Sequence, residues 1–295
     1  MKTVLISGIN GFLGSHLAKQ LNSFYKIVGL EYSLDNLNRV STKDFDIYLS
    51  TEKGLLDAFE SNKFFAIIHA ATIYNRKSEQ ISNLLKTNVN LPVRLLELAN
   101  NYKVSIFLNT DSFFNNSNFS YSFLTQYTLS KKHSLEWIKL YSDDARFKVV
   151  NMKIYHMYGE RDNQDKFIPS ITNKIISNEK SIDLTAGDQT RDFIYIKDVV
   201  NAFEYVLKSY SKLKKFEEFD IATGSSISLK EFVLYIKEVT QSNSELNFGK
   251  LPYREGEIMV SKTCNLSLFK MGWKPLYNQK KGVQKYISEI IKIHS

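Results

Sequence analysis

Tyr127 and Lys131 lie four residues apart in Tyr127-Thr128-Leu129-Ser130-Lys131, a spacing that puts both side chains on one face of a helix. An ammonium beside a phenol lowers the phenol's pKa, and a phenol so tuned can pass a proton to a ketone oxygen as hydride reaches the carbon. The lysine can also hold a cofactor ribose. The spacing alone selects nothing, because Tyr210–Lys214 and Tyr277–Lys281 repeat it. Position selects the first pair, which follows the apolar run Ile106-Phe107-Leu108 and a polar loop. Thr110 sits just past that run and can hydrogen-bond a substrate carbonyl, since open parallel sheets carry their chemistry beyond strand C-termini.

A second set is the glycine turn Gly8-Ile9-Asn10-Gly11-Phe12-Leu13-Gly14. The first glycine permits a tight turn, the second lets backbone approach a pyrophosphate, and the third lets a helix pack close to a strand. Such a helix aims free N–H groups and its positive dipole end at the pyrophosphate. The turn follows an apolar strand and opens a helix, the context this motif needs, so Gly8, Asn10, Gly11, Phe12, Leu13 and Gly14 are the expected dinucleotide contacts. Glu31, at the end of the second apolar run, can bind both ribose hydroxyls and repel a 2′-phosphate, which points to NAD. Arg39 lies downstream and can serve NADP, so both coenzymes stay open. In Ile67-Ile68-His69-Ala70-Ala71, the small Ala70 and Ala71 leave room for a nicotinamide ring, whereas His69 reads as structural. The five histidines and Cys264 show no metal-ligand spacing, and no Gly-x-Ser-x-Gly elbow is present. No metal and no serine hydrolase are expected.

These residues need a scaffold of alternating elements. Residues 2–7, Lys26–Leu30, Phe65–His69, Ile106–Asn109 and Val149–Tyr155 read as strands, with helices at Ser15–Leu21, 78–101 and 127–141. That alternation implies an α/β Rossmann fold, a doubly wound parallel sheet. It weakens after about residue 160. There follow an amphipathic stretch at 170–178, a Gly187-Asp188 turn, a strand at 192–196 and a helix at 197–209. Helices near 228–240 and 281–292 flank a Gly/Pro-rich stretch at 249–256. The second half reads as a smaller α/β lobe.

The 295 residues are 43% apolar and 24% charged, ordinary globular values. The net charge of +8 comes from 39 basic and 31 acidic residues. The lysines are spread along the chain, unlike the clustered basic face of a nucleic-acid reader, so no nucleic-acid partner is expected. A diffuse positive field suits an anionic small molecule. The single cysteine fits a reducing compartment. No apolar run approaches the roughly 20 residues of a membrane helix, and Gly8 interrupts any signal-peptide core. A cytoplasmic protein without a membrane partner is expected.

Gly8/Gly11/Gly14, His69-Ala70-Ala71, Thr87-Asn88-Val89, Thr110, Tyr127/Lys131 and Gly187 to Ile194 together resemble the extended short-chain dehydrogenase/reductase family along essentially the whole chain. The resemblance implies a dinucleotide-binding domain over 1–160 plus about 190–220. It implies a sugar-nucleotide lobe over about 161–189 and 221–295. It also implies a homodimer built on the Tyr127 helix and the helix before it. Thr110, Tyr127 and Lys131 become the catalytic trio, with Asn88 supporting Lys131 through water. Arg191 and Arg254 match positions that grip a diphosphate, Lys166, Phe167 and Ile168 lie along the nucleotide, and His156 and Glu257 join the substrate site.

Ile106 to Phe114, Lys166 to Pro169, Glu257-Ile258-Met259 and Met271 to Pro275 look like the branch that reduces the C4 ketone of CDP-4-keto-3,6-dideoxyglucose for O-antigen sugars. The 4,6-dehydratase branch carries a glutamate where this chain has Ser112, so the base for water elimination is missing. Glu160-Arg161 replaces the family's usual Pro-Gly and is expected to reshape the sugar pocket. Reductases of this kind often use NADPH, which sits against Glu31. A 4-epimerase that recycles its NAD uses the same trio and remains the alternative. A non-catalytic dinucleotide-binding protein would not need that trio.

Overall fold

The computed structural model describes residues 1–74, 80–115, 124–263 and 265–294. Cys264, residues 78–79 of the expected helix 78–101, and 116–123 of the loop before Tyr127 lie outside them. In chain order the elements begin β1 (Thr3–Ser7), α1 (Phe12–Leu21), β2 (Lys26–Glu31), β3 (Asp46–Leu49), α2 (Glu52–Ser61) and β4 (Phe64–His69). Then come α3 (Ile81–Leu85), a π-helical turn (Lys86–Asn90), α4 (Leu91–Asn101), β5 (Ile106–Ser112), α5 (Thr125–Asp144) and β6 (Lys148–Ile154). The next elements are β7 (His156–Tyr158), α6 (Phe167–Ile176), β8 (Ser181–Leu184), β9 (Thr190–Arg191), β10 (Phe193–Tyr195), α7 (Ile196–Lys208) and β11 (Phe216–Ile221). The chain finishes with β12 (Ile227–Ser228), α8 (Leu229–Thr240), β13 (Glu245–Phe248), α9 (Ser267–Lys270) and α10 (Gln279–His294).

A seven-stranded sheet runs β11-β6-β5-β4-β1-β2-β3. Strand order reverses between β1 and β4, the doubly wound arrangement expected from the sequence, and β1 pairs parallel with both β2 and β4. Its central strands are apolar on both faces because helices cover both sides. Leu5, Val28, Ile67, Phe107 and Val149 share one buried cluster with Leu95, Leu96 and Ile138 of the helices. The registers Ser7↔His69 and His69↔Asn109 align the C-terminal ends of β1, β4 and β5, which fixes where the chemistry-bearing residues emerge.

The compact unit built on this sheet comprises residues 1–118, 123–153 and 203–219, and the second comprises 154–202 and 220–295 among its main segments. The first boundary thus falls at 153 against the expected 160, and of the expected return at 190–220 only 203–219 belongs to the first unit. In the second unit β7 pairs with β10, β9 with β12 and β8 with β13. Its core is aromatic: Phe193 stacks on Phe232 at 4.1 Å, and Tyr158 meets Phe232 and Tyr286 edge-on at 5.0 and 5.6 Å. Gly282 is required there, because a Cβ would collide with the Tyr158 hydroxyl.

Candidate active site

The glycine turn departs from β1 with Gly8 at φ +68°, a left-handed conformation that favours glycine. A Cβ on Gly8 would lie 2.7 Å from Ala71 Cα, and one on Gly14 would strike the Gly8 carbonyl oxygen. Helix α1 starts at Phe12, three residues before the expected Ser15, because Gly14 lies inside the helix. No side chain caps this end and no acid lies in its first turn, and the first N–H groups of any helix have no carbonyl one turn back to donate to. A cradle that any Cβ would fill, beneath an uncapped helix N-terminus, fits a dinucleotide diphosphate.

Glu31 closes this turn. Its carboxylate accepts from Asn10 N–H at 2.9 Å and from Tyr32 N–H at 3.2 Å. Arg39 holds the other side of the same residue: its N–H donates to Asn10 Oδ1 at 2.9 Å and its guanidinium to Asn10 O at 3.4 Å. Acid and guanidinium therefore both flank Asn10, as the open coenzyme question required.

Thr110, Tyr127 and Lys131 come together where α5 packs on the end of β5. Lys131 Nζ donates to the Thr110 carbonyl at 2.9 Å, and both Tyr127 and Lys131 are 4% exposed. Burial pulls the Lys131 pKa down to about 8, against a smaller opposing pull from Asp111. The Tyr127 phenol departs from the expectation. Burial holds its pKa well above 10, the neighbouring Tyr74 adds to that, and a hydrogen bond from Ser112 works the other way. The Lys131 ammonium is turned to the Thr110 carbonyl. Tyr74 stacks on Tyr127 at 4.7 Å and Phe114 meets it edge-on at 6.4 Å.

Asn88 occupies the π-helical turn, fully buried. Pro92, in the first turn of α4, has no N–H to donate to the carbonyl four residues back, and the helix widens there instead. The Asn88 amide donates to Ser130 Oγ and to Ile73 O, both at 2.9 Å, and its oxygen accepts from Ile73 N–H. It thus braces the turn before Lys131. His69 is fully buried, with Nδ1 2.8 Å from Ser7 Oγ, and desolvation followed by the Lys131 charge depresses its pKa.

Sequence reasoning passed over the layer behind the trio. Asp111 is buried and accepts from Ser112 N–H and from Asn151 Nδ2, both at 2.8 Å. Asn151 also accepts from Asn109 Nδ2 and donates to Glu218, which pairs with Lys153 at 3.2 Å. The available signal was the polar run Asn109-Thr110-Asp111-Ser112 completing a wholly buried strand, where polar side chains need partners.

The other residues expected at the substrate lie in the second unit. Arg191 pairs with Glu257 at 2.6 Å, both largely buried, and Arg254 begins the turn that Glu257 N–H closes onto its carbonyl. His156 is half-buried beside Arg191, and loss of solvent around its ring, followed by the Arg191 charge, lowers its pKa. Lys166 occupies the position just before α6 and pairs with Asp162 at 2.8 Å, with Phe167 and Ile168 following in the first turn. Glu160 is buried and accepts from the Tyr195 hydroxyl at 2.8 Å.

Residues 4–222 match the model of the NAD dependent epimerase/dehydratase family. The chain belongs to this family. Its cofactor is NAD, and it is an oxidoreductase of the extended short-chain dehydrogenase/reductase type that acts on nucleotide sugars. Within the family, the CDP-abequose synthase of Salmonella typhimurium is 34% identical over 292 residues, covering 97% of this chain and 98% of the relative. The CDP-abequose synthase of Salmonella muenchen is 36% identical over 291 residues, 97% of each. UDP-glucose 4-epimerase of Thermotoga maritima, solved with UDP-glucose, shares the fold at TM-score 0.85 and 18% identity, covering 99% of this chain and 100% of that one.

Proposed function

We propose that this enzyme reduces the C4 ketone of a nucleotide-linked 4-keto-6-deoxy or 3,6-dideoxy hexose, with a CDP-linked substrate favoured. The observation that carries the reading is the residue that ends β5 next to the buried trio. It is Ser112, buried and not a glutamate, so the position offers no base for eliminating water. The length-spanning similarity to two CDP-abequose synthases supports the CDP-sugar and a role in O-antigen and lipopolysaccharide sugars.

Bound reduced nicotinamide supplies the hydride that reaches C4. Tyr127 gives its phenolic proton to the oxygen that forms, and Thr110 holds that oxygen. Lys131 keeps a positive charge beside them, its ammonium already anchored on the Thr110 backbone. The glycine turn with Phe12, Leu13 and Gly14 holds the dinucleotide diphosphate, Glu31 the adenosine ribose, and Ala70 and Ala71 the space for the ring. Asn88 stiffens the segment that carries Ser130 and Lys131. In the second unit Arg191 and Arg254 take the sugar-nucleotide diphosphate, with His156, Lys166, Phe167, Ile168 and Glu257 beside the substrate.

The enzyme acts in the cytoplasm as a homodimer. Leu129, Trp137 and Leu140 lie on one side of α5 and are 50%, 53% and 63% exposed, and α3 adds exposed Ile81 and Leu85. A second copy would cover these side chains.

Tyr127→Phe tests the reading. It should bind dinucleotide and sugar nucleotide as the parent does and lose roughly 10²- to 10⁴-fold in turnover. Activity near the parent's would remove Tyr127 from the chemistry. A dinucleotide that stays bound through dialysis and supports interconversion without net oxidation would point to the 4-epimerase instead.

A further inference from the structure

We infer that Asn151 is a positioning residue for the proposed reaction: its side-chain amide ties together Asn109 and Asp111, the two neighbours of Thr110 on β5, and so holds Thr110 in place for Lys131. This rests on Thr110, Tyr127 and Lys131 being the reacting trio.

Alternation along β5 puts Asn109 and Asp111 on one face of the strand and Thr110 on the other. Asn151 stands on β6, the strand next to β5. Its Oδ1 accepts from Asn109 Nδ2 at 2.8 Å, and its Nδ2 donates to Asp111 Oδ2, also at 2.8 Å. Nδ2 also donates to Glu218 Oε2 on β11 at 2.9 Å, and Glu218 is held in turn by Lys153 at 3.2 Å. Both amide hydrogens and the oxygen are therefore engaged. The amide has one orientation, because turning it over would set its oxygen against two carboxylates. Asn109, Asp111 and Asn151 are 2%, 4% and 0% exposed, so bulk water offers these bonds no substitute.

The tie acts where the backbone ladder gives out. Pairing of β5 with β4 runs from Ile106 to Asn109, and Thr110 lies one residue beyond it. There Lys131 Nζ donates to the Thr110 carbonyl at 2.9 Å, and the Thr110 hydroxyl is the group proposed to hold the sugar oxygen. Pinning the residues on both sides of Thr110 fixes its carbonyl and its hydroxyl together.

The same amide supports the charge on Asp111. That carboxylate also accepts from Ser112 N–H at 2.8 Å and from Asn115 Nδ2 at 3.1 Å. Burial raises its pKa, and the Asn151 bond, then the Ser112 bond, work against that. Lys131 from α5 and Lys153 from β6 face the carboxylate, Tyr127 of α5 lies near it, and Glu218 of β11 stands across Asn151. His69 from β4 faces Lys131 and is kept neutral by burial and then by that ammonium.

The test uses the full-length NAD-bound enzyme with Asn151→Leu, which keeps the branching of the side chain and removes its polar atoms. The Asp111 carboxyl is titrated by carbon-13 NMR, assigned with Asp111→Asn, and kcat and KM are followed against pH. Loss of a donor to a carboxylate that stays dry should raise its midpoint by about one to two pH units. A side chain that merely filled space would act the other way, because loosening admits water and lowers the midpoint towards the ordinary 3.8. The acid limb of kcat should rise with the Asp111 midpoint. At neutral pH kcat should fall roughly tenfold, with the sugar-nucleotide KM little changed. Asn109→Ala cuts the other arm and should lower kcat by a similar factor while leaving the Asp111 midpoint at the parent's value. Should Asn151→Leu fail to fold, Asn151→Val, apolar and shorter, carries the same expectation. An Asp111 midpoint that stays or falls in the apolar variant, a kcat equal to the parent's, or a loss expressed in KM instead of kcat overturns the inference. The titration needs no sugar substrate. A parent that reduces no keto-sugar would therefore count against the proposed function and leave the Asp111 midpoint to decide on the Asn151 tie.

Discussion

Replacing Lys131 with methionine should make the fold more stable while abolishing turnover. Lys131 is buried at the site, and its pKa falls from the ordinary 10.5 to about 8 on folding. A lysine lowered in this way binds fewer protons folded than unfolded between those two values. Its cost to the fold is fully present below about pH 8 and fades as pH rises towards 10.5. The gap of 2.5 units (10.5 − 8) corresponds to about 3 kcal/mol at pH 7. Losing the hydrogen bond to the Thr110 carbonyl offsets about 1 kcal/mol of the gain. Lys131→Met should then be about 2 kcal/mol more stable at neutral pH, and about 2 kcal/mol of that gain should vanish by roughly pH 9.5. Urea melts of parent and variant at the two pH values, without added dinucleotide, measure this directly. Subtracting one protein from the other removes the remaining lysines and tyrosines. A variant less stable than the parent at neutral pH, or a gain that ignores pH, would refute the argument that burial strains this ammonium.

Gly14→Ala forces a Cβ onto the Gly8 carbonyl and pushes the first turn of α1 away from the cradle. Loss of two charge-assisted hydrogen bonds, about 3–6 kcal/mol, should weaken NAD binding roughly 10²- to 10⁴-fold by calorimetry. Glu31→Ala leaves Arg39 on Asn10 and removes the carboxylate, so the preference for NADH over NADPH should fall roughly tenfold in steady-state kinetics. Trp137→Lys should shift the enzyme from dimer to monomer in sedimentation, because it places a charge in the exposed apolar face of α5.

Much of the first unit was legible because buried parallel strands are near-continuous apolar runs. β1, β2, β4, β5 and β6 all fall where such runs stand. The edge strands were harder. β3, Asp46-Ile47-Tyr48-Leu49, and β11, Phe216-Glu217-Glu218-Phe219-Asp220-Ile221, mix acids with apolar residues because each has only one strand neighbour. Helix α6 begins at Phe167, ahead of the amphipathic stretch expected from 170, because proline is tolerated in a first turn where its missing N–H costs nothing. Within the site, the positions of Thr110, Tyr127 and Lys131 could be read from spacing and strand ends. Their electrostatics could not. Which way the Lys131 ammonium turns depends on the Thr110 carbonyl, a backbone group that no side-chain pattern reports. The same holds for Glu160: its place in the sequence does not report the buried Tyr195 hydroxyl from which it accepts.

The central claim is that the buried trio reduces a keto-sugar. The most direct measurement offers CDP-4-keto-3,6-dideoxyglucose with NADH and, separately, NADPH. Loss of reduced-nicotinamide absorbance is followed, and the C4 configuration of the product is read by NMR. One reduced coenzyme oxidised per sugar, with a single C4 alcohol formed and neither seen in Tyr127→Phe, is the expected result. Sugar converted without coenzyme oxidation, or coenzyme oxidised equally well by Tyr127→Phe, would contradict it.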